Sequence, residues 1–227
     1  LFTLIAAVGL WGFWAEEISA AAVIIELYRM TDAPTLLAIP FFTLAGFLMA
    51  EAGTPRRLTD LARAALGWMP GGLAVVTLTT CAFFTAFTGA SGATIAALGG
   101  LLFASLLQDG YAERFSLGLV TTSGGTGLLF PPSLPLILYA VVAGVNIDHL
   151  FLAGIVPGIL LIAILAAYCV RRVGALGVPR TPFSAAALGR AARAAGWEIP
   201  LPILIMGGIY GGFYTAAEAA AVAAAYV

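Results

Sequence analysis

The sequence predicts an all-α, polytopic membrane protein. Of its 227 residues, 62% are hydrophobic and only 9% are charged, and the mean hydropathy is +1.05. A soluble domain is nearer half apolar and a quarter charged. Several apolar runs approach the roughly 20 residues that a membrane-spanning helix needs. The formal net charge of −1 gives no reason to expect a nucleic acid partner.

Residues 1–70 are predicted to form scaffold spans followed by an amphipathic arm helix. Residues 1–14 and 34–51 are apolar enough for the end of one span and for a second element. Residues 55–68 carry arginines, and their apolar positions recur every three or four residues. We therefore expect this helix to lie along the membrane surface, with Trp68 at the level of the headgroups.

The first interruption of the apolar pattern is the run Gly89-Ala90-Ser91-Gly92-Ala93-Thr94. The apolar arms on either side have about 16 residues each, which is short for a span. This pattern predicts a re-entrant helical hairpin at about 73–107. Glycines permit a tight reversal, and a helix that starts at Gly92 has free N–H groups that attract an anion. Close helix packing through small residues is the alternative.

The second interruption lies within the apolar stretch 115–147, which is too long for one straight helix. It contains Ser123-Gly124-Gly125-Thr126-Gly127, followed by Pro131-Pro132-Ser133. The prolines lack N–H donors and leave upstream carbonyls free, and these oxygens together with the hydroxyls suit a hard cation such as sodium. A packing kink is the alternative. Two such breaks in one membrane protein indicate a transporter binding site.

The rest of the chain is predicted as a polar turn at 146–149, an ordinary span at 150–170 and a loop at 171–197. Arginines cluster before the hairpin and again in this loop. Short cytoplasmic loops collect arginine, so a single broken span, which puts both clusters on one side, is favoured over two spans. The loop is therefore expected to be a cytoplasmic linker.

Two acidic or nucleophilic patterns have alternative interpretations. Thr215 and Glu218 have the spacing of a helix capping box, although an intramembrane acid is also a functional candidate. Ser91 in a Gly-Xaa-Ser-Gly pattern, with His149 as the general base, would suit an intramembrane serine protease. His149 is predicted at the far end of the broken span, outside the apolar core, which disfavours that activity. No other catalytic residue is indicated, and the two cysteines have no metal-ligand spacing.

These motifs together resemble the large membrane subunit of TRAP transporters, the tripartite ATP-independent periplasmic family. The resemblance covers nearly all 227 residues. Its segments, in order, are AIPFFTLAG at 38–46, PGGL at 70–73, GASG at 89–92, LFPPSLPLILY at 129–139, LFLAGIVPG at 150–158, GGIYGG at 207–212 and TAAEAA at 215–220.

The resemblance implies a sodium-driven, inverted-repeat elevator transporter in the bacterial inner membrane, and no enzyme. Residues 71–170 would be its transport region, and 198–227 would begin the second repeat. The chain begins and ends within apolar runs, so we expect a fragment cut at both ends, and because family members are about twice as long, the resemblance implies the first half. A small membrane subunit and a periplasmic solute-binding protein are the implied partners, and organic acids are the implied substrates. A stand-alone ion-coupled elevator transporter is the alternative within transport.

The resemblance also implies a set of site residues and no cofactor other than sodium as the coupling ion. Sodium would be held by Gly89, Ser91, Gly92, Ser123, Gly125 and Thr126. The substrate would be held by Ser91, Gly92, Thr94, Pro131, Pro132 and Ser133. Many family members have a second serine where this sequence has Ala93. The absence of a carboxylate at either break disfavours a proton relay.

Overall fold

The computed structural model describes residues 2–19, 21–174 and 182–227, and this part of the chain is all-α with no strand. The all-α prediction is therefore confirmed. The helices are α1 (Phe2–Ala15), α2 (Ala21–Thr31), α3 (Ala38–Glu51), α4 (Thr54–Leu66), α5 (Gly72–Thr88), α6 (Ser91–Gln108), α7 (Glu113–Thr126), α8 (Leu134–Ala143), α9 (Ile147–Gly174), α10 (Ala185–Ala194), α11 (Pro200–Tyr210) and α12 (Ala216–Tyr226).

Several helices in the described residues are long and apolar enough to cross a membrane. Three pass by length and composition: Pro34–Glu51, Ser91–Gln108 and Ile147–Val173. A fourth is possible if Glu113–Leu129 and Leu134–Ala143, which are bent by 44° at a short break, are one span. The chain is therefore a multi-pass membrane protein, and the bend lies at the break expected from the glycines and prolines.

Helix α5 is the centre of the structure. It is buried along nearly its whole length and contacts α3, α4, α6, α7 and α9. Its sequence is apolar on all sides, which is typical of a helix enclosed by others. Phe84 and Phe87 are fully or almost fully buried in this core. Helix α3 also contacts α12, and Thr215 and Glu218 form the predicted capping box at the start of α12.

Helices α5 and α6 form a tight hairpin. Gly89 ends α5 with φ +63°, Ala90 is extended, and Ser91 begins α6. A left-handed residue between two helices is accommodated best by glycine. A Cβ on Gly89 would also collide with the side chain of Leu134 at the start of α8. The hairpin tip therefore lies against the N-terminus of α8, beside the helix break.

Both arginine-rich segments lie at one end of the structure. The last turns of α9 reach Gly71, where a Cβ would lie 3.4 Å from the Cβ of Val173. Helix α10 contacts the amphipathic helix α4. This is the arrangement that a single broken span predicts. We call it the arginine-rich end, after Arg56, Arg57, Arg63, Arg171, Arg172, Arg190 and Arg193.

The prediction of a loop over 171–197 is wrong for much of that segment. Helix α9 continues to Gly174, and Ala185–Ala194 forms α10. Ser184 caps α10, because its hydroxyl oxygen accepts a hydrogen bond from the Ala187 N–H at 3.3 Å. An alanine-rich run behind such a cap favours helix. The part of the predicted linker at 175–181, including Arg180, lies outside the described residues.

The predicted polar turn at 146–149 is also shorter than expected. The side chain of Asn146 accepts hydrogen bonds from the N–H groups of Asp148 at 2.8 Å and of His149 at 3.3 Å. Asparagine is a favourable cap, so α9 begins at Ile147. His149 therefore lies in the first turn of a helix, where it is exposed to solvent or headgroups.

Candidate functional site

The helix break meets the residues beside the hairpin tip in the interior of the protein, while the tip itself is half-buried to exposed. Thr85 on α5 donates a hydrogen bond to the carbonyl oxygen of Gly124 on α7 at 3.0 Å. A Cβ on Gly124 would lie 2.6 Å from Cγ1 of Ile95 and 3.1 Å from the carbonyl oxygen of Ser91. Glycine at 124 therefore lets α7 approach the first turn of α6 closely. The structure thus brings together the two interruptions that the sequence predicts to share a site.

Three buried threonine hydroxyls join the two arms of the hairpin. Thr85 Oγ1 lies 2.8 Å from Thr94 Oγ1, which lies 3.1 Å from Thr88 Oγ1. The single proton of the Thr85 hydroxyl has two acceptors within reach, Thr94 Oγ1 and the Gly124 carbonyl, and the Thr94 hydroxyl in turn donates to the Ala90 carbonyl at 3.3 Å. The cluster therefore connects α5 and α6 to a backbone oxygen at the break.

Thr85 and Thr88 are the site residues that sequence reasoning missed. They lie in an apolar helix, where threonine commonly bonds to its own backbone, as Thr77 does with the Leu73 carbonyl at 2.9 Å. A signal was available, because residues three apart share a helix face and both precede the predicted tip. Thr94, predicted as a substrate ligand, is buried and belongs to this hydroxyl cluster.

The two hydroxyl-bearing sodium ligands predicted on α7, Ser123 and Thr126, are buried, and each already donates its hydroxyl proton. Ser123 donates to the Leu119 carbonyl at 2.6 Å, and Thr126 donates to the Ser123 carbonyl at 2.7 Å. Both side chains are at most 2% exposed. A hydroxyl that donates its proton keeps lone pairs with which it can coordinate a cation. The two oxygens are therefore chemically suitable as ligands.

Two glycines of the predicted site border open space, Gly92 at an exposed position of the tip and Gly125 at a half-buried position of the break. A Cβ placed on Gly92 or on Gly125 would have no heavy atom within 4 Å. Gly127 differs, since a Cβ there would lie 2.6 Å from Cβ of Thr85. Within the break, Gly124 and Gly127 thus permit close helix contact, whereas Gly125 leaves room.

The N-terminus of α6 leaves backbone donors available at the tip. Ala90, the residue before the helix, has no side chain that could cap it. The first intrahelical bond that involves this residue is donated by the Thr94 N–H to the Ala90 carbonyl at 3.2 Å. The N–H groups of the first turn therefore remain for an anionic group, which the helix dipole also favours. Ser91 is half-buried beside Gly92.

Ser133 brings a further polar atom to the break. It follows Pro131 and Pro132, which are joined by a cis peptide bond, and it precedes α8. Its hydroxyl oxygen is fully buried and has no hydrogen-bond partner among the described residues. An unpartnered buried hydroxyl is costly, so a ligand or a water molecule is the expected partner.

The acidic side chains of the described residues do not cluster as metal ligands would, and the buried one, Glu198, forms an ion pair instead. The described residues contain no group of three or more His, Cys, Asp or Glu that could hold a metal ion. Glu198 is only 5% exposed and binds Arg57, whose Nε donates to Oε1 at 2.6 Å. Thr54 donates to the same oxygen at 3.1 Å. This ion pair joins α4 to Glu198, which lies two residues before the start of α11, at the arginine-rich end.

A family model and the curated relatives of this chain all point to the same family of transporters. The family model described as "Tripartite ATP-independent periplasmic transporter, DctM component" matches residues 1–227. The C4-dicarboxylate TRAP transporter large permease protein DctM of Vibrio cholerae is 40% identical over 218 residues, covering 94% of this chain and 48% of the relative. Its Pseudomonas aeruginosa counterpart is 42% identical over 211 residues, covering 92% of this chain and 49% of the relative.

A relative with a different named substrate is also similar. The ectoine TRAP transporter large permease protein TeaC of Halomonas elongata is 39% identical over 195 residues, covering 85% of this chain and 45% of the relative. The chain thus spans about half the length of the curated relatives it matches. All three relatives are named as transporter permeases, not as enzymes.

Proposed function

The chain belongs to the DctM component family of tripartite ATP-independent periplasmic transporters, and on this premise we propose that it forms half of a sodium-coupled permease for a small organic acid. Members of this family are transporter permeases, so the chain is not an enzyme and the protease interpretation of Ser91 is wrong. The single observation that carries the proposal is the meeting of the hairpin tip with the helix break.

Sodium is the proposed coupling ion because the site offers neutral oxygens. The hydroxyls of Ser123 and Thr126 and the backbone carbonyls around Gly125 are ligands that a hard cation accepts. The open space beside Gly125 supports an ion position there. A proton-coupled relay would need a titratable group at the break, and the predicted site residues supply none.

An organic acid is the proposed substrate because α6 presents a free helix N-terminus at the tip. The N–H groups near Ser91 and Gly92 would bind a carboxylate, and the unpartnered hydroxyl of Ser133 would add a polar contact. The relatives are named for C4-dicarboxylates and for ectoine, and these names support a small organic acid as the substrate class.

The proposed assembly follows the tripartite description of the family. A small membrane subunit would complete the permease, and a periplasmic binding protein would deliver the solute. The arginine-rich end would face the cytoplasm of a bacterial inner membrane, since short cytoplasmic segments collect arginine. The tip and break, which contact each other directly, would move together as part of the elevator.

The proposal can be tested by transport in proteoliposomes. The complete subunit would be reconstituted with its small subunit, and uptake of a panel of labelled organic acids would be followed. Each acid would be measured with and without an inward sodium gradient and with and without the binding protein. We expect uptake that requires both. Uptake without the binding protein would instead support a stand-alone transporter, and uptake without a sodium gradient would contradict sodium coupling.

A further inference from the structure

A groove lies between α4 and α10 at the arginine-rich end. It is open to the surface and has a volume of about 520 Å³. Helix α4 contributes polar residues spaced by three, which share one face of the helix. Helix α10 contributes mainly alanines. The lining residues are Arg57, Asp60, Arg63, Ala64, Pro182, Ser184, Ala187, Arg190, Ala191 and Ala194.

The charges around the groove leave two arginines available. Arg57 is engaged by the buried carboxylate of Glu198. Neither Arg63 nor Arg190 forms an ion pair with any residue that the structure describes. Asp60 is the one acidic residue of the lining. The groove therefore combines a small apolar floor with a rim that carries an excess of guanidinium groups, and such a rim complements an anion.

Exposed aromatic side chains indicate that the groove lies at the depth of the lipid headgroups. Trp68 follows α4 and is 50% exposed, while Phe183 and Trp197 flank α10 and are 57% and 76% exposed. Large aromatics with polar surroundings are typical of the membrane–water interface. Helices α4 and α10 adjoin the apolar helices α5 and α11 in the chain. A ligand of this groove would therefore meet the bilayer boundary.

We propose that the groove between α4 and α10 binds the headgroup of an anionic phospholipid, such as phosphatidylglycerol. Arg63 and Arg190 bind the phosphate, since guanidinium groups donate paired hydrogen bonds to phosphate oxygens. The alanine floor contacts the glycerol and the first methylenes of the acyl chains. Basic pockets between helices on the cytoplasmic side of a membrane commonly take anionic headgroups. The bound lipid would hold the two arm helices together in the bilayer surface.

The experiment compares lipid binding by two charge-matched variants of the complete subunit in neutral detergent. Arg63→Gln with Arg190→Gln removes two charges from the groove. Arg56→Gln with Arg193→Gln removes two from the same helices, at exposed positions outside the lining. Native mass spectrometry would titrate each protein with phosphatidylglycerol and with phosphatidylcholine. At about 1.5 kcal/mol for each hydrogen bond to a charged group, the groove variant should bind phosphatidylglycerol roughly 150-fold more weakly, and the control variant should lose much less.

Further arms make the outcome decisive. Arg63→Lys with Arg190→Lys keeps both charges but loses the paired hydrogen bonds, so its affinity should lie between those of the parent and the glutamine variant, which separates lost recognition from misfolding. Equal losses in the groove and control variants would overturn the proposal, because they would indicate a diffuse charge effect. Unchanged binding in the groove variant would also overturn it. Competition by inorganic phosphate as strong as that by phosphatidylglycerol would show a site for a soluble anion instead of a lipid.

Discussion

The Thr85 hydroxyl on α5 donates a hydrogen bond to the Gly124 carbonyl oxygen on α7 across 39 residues of sequence. It lies 3.0 Å from that oxygen and is fully buried. The bond fastens the helical hairpin to the broken helix at the depth of both interruptions. It also fixes the direction of the Gly124 carbonyl, which adjoins the proposed ion position beside Gly125.

Replacing Thr85 by valine should weaken sodium coupling. Valine keeps the shape of the side chain but removes the hydroxyl, so Gly124 loses a hydrogen bond worth about 1 kcal/mol. We expect the sodium concentration for half-maximal uptake to rise about fivefold to tenfold. Thr85→Ser should restore it. Thr121→Val is the control, because the Thr121 hydroxyl bonds only within its own helix and is exposed. An unchanged sodium dependence in Thr85→Val would contradict the positioning role.

Filling the space beside Gly125 should abolish uptake. Leucine at 125 would occupy the open volume that the proposed ion requires. Gly118→Leu is the matched control, since Gly118 lies on the same helix, also borders open space and is exposed. Uptake assays at equal expression would compare the two. Transport by Gly125→Leu at the level of Gly118→Leu would remove Gly125 from the site.

Removing the hydroxyl at the hairpin tip should also abolish uptake. Ser91 stands at the free N-terminus of α6, where its hydroxyl supplements the backbone donors. Ser91→Ala is expected to leave expression intact, because the tip is half-buried and its close contact with Gly124 uses the backbone. Ser105→Ala, near the other end of α6, serves as the control. Sodium-dependent uptake by Ser91→Ala equal to that of the parent would remove Ser91 from the site.

Breaking the ion pair at the arginine-rich end should destabilise the protein. Arg57→Leu would leave the carboxylate of Glu198 buried, and uncompensated buried charges cost about 3 kcal/mol or more. The partial exposure of Arg57 reduces this penalty, so we expect a cost of about 1–3 kcal/mol. Thermal unfolding in detergent would report it as a lower melting temperature. Arg56→Leu, an exposed neighbour, should melt near the parent. Equal melting of the two variants would show that the pair contributes nothing.

The sequence predicted the features that depend on local chemistry. Glycine and proline weaken helices wherever they occur, so the hairpin tip near Gly89 and the break near Gly125 were visible from residue types alone. The capping box of Thr215 and Glu218 was visible from spacing. The cap at Ser184 carried a similar signal that the loop prediction overlooked.

The contacts between distant segments could not be predicted in this way. Thr85 belongs to the site only because the packing of α5 against α7 places it beside Gly124. The residues around Thr85 in the sequence do not specify that partner. Glu198 likewise finds Arg57 at a sequence separation of 141 residues. Such pairs depend on tertiary packing, which periodicity and propensity leave open.

Equilibrium sodium binding tests the central claim, that the hairpin tip and the helix break form one ion site. Binding of ²²Na⁺ would be measured on the purified complete subunit, on Gly125→Leu and on Gly118→Leu. The account predicts saturable binding by the parent and by Gly118→Leu, and its loss in Gly125→Leu. Parent-like sodium binding by correctly folded Gly125→Leu would contradict the claim and place the coupling ion elsewhere in the permease.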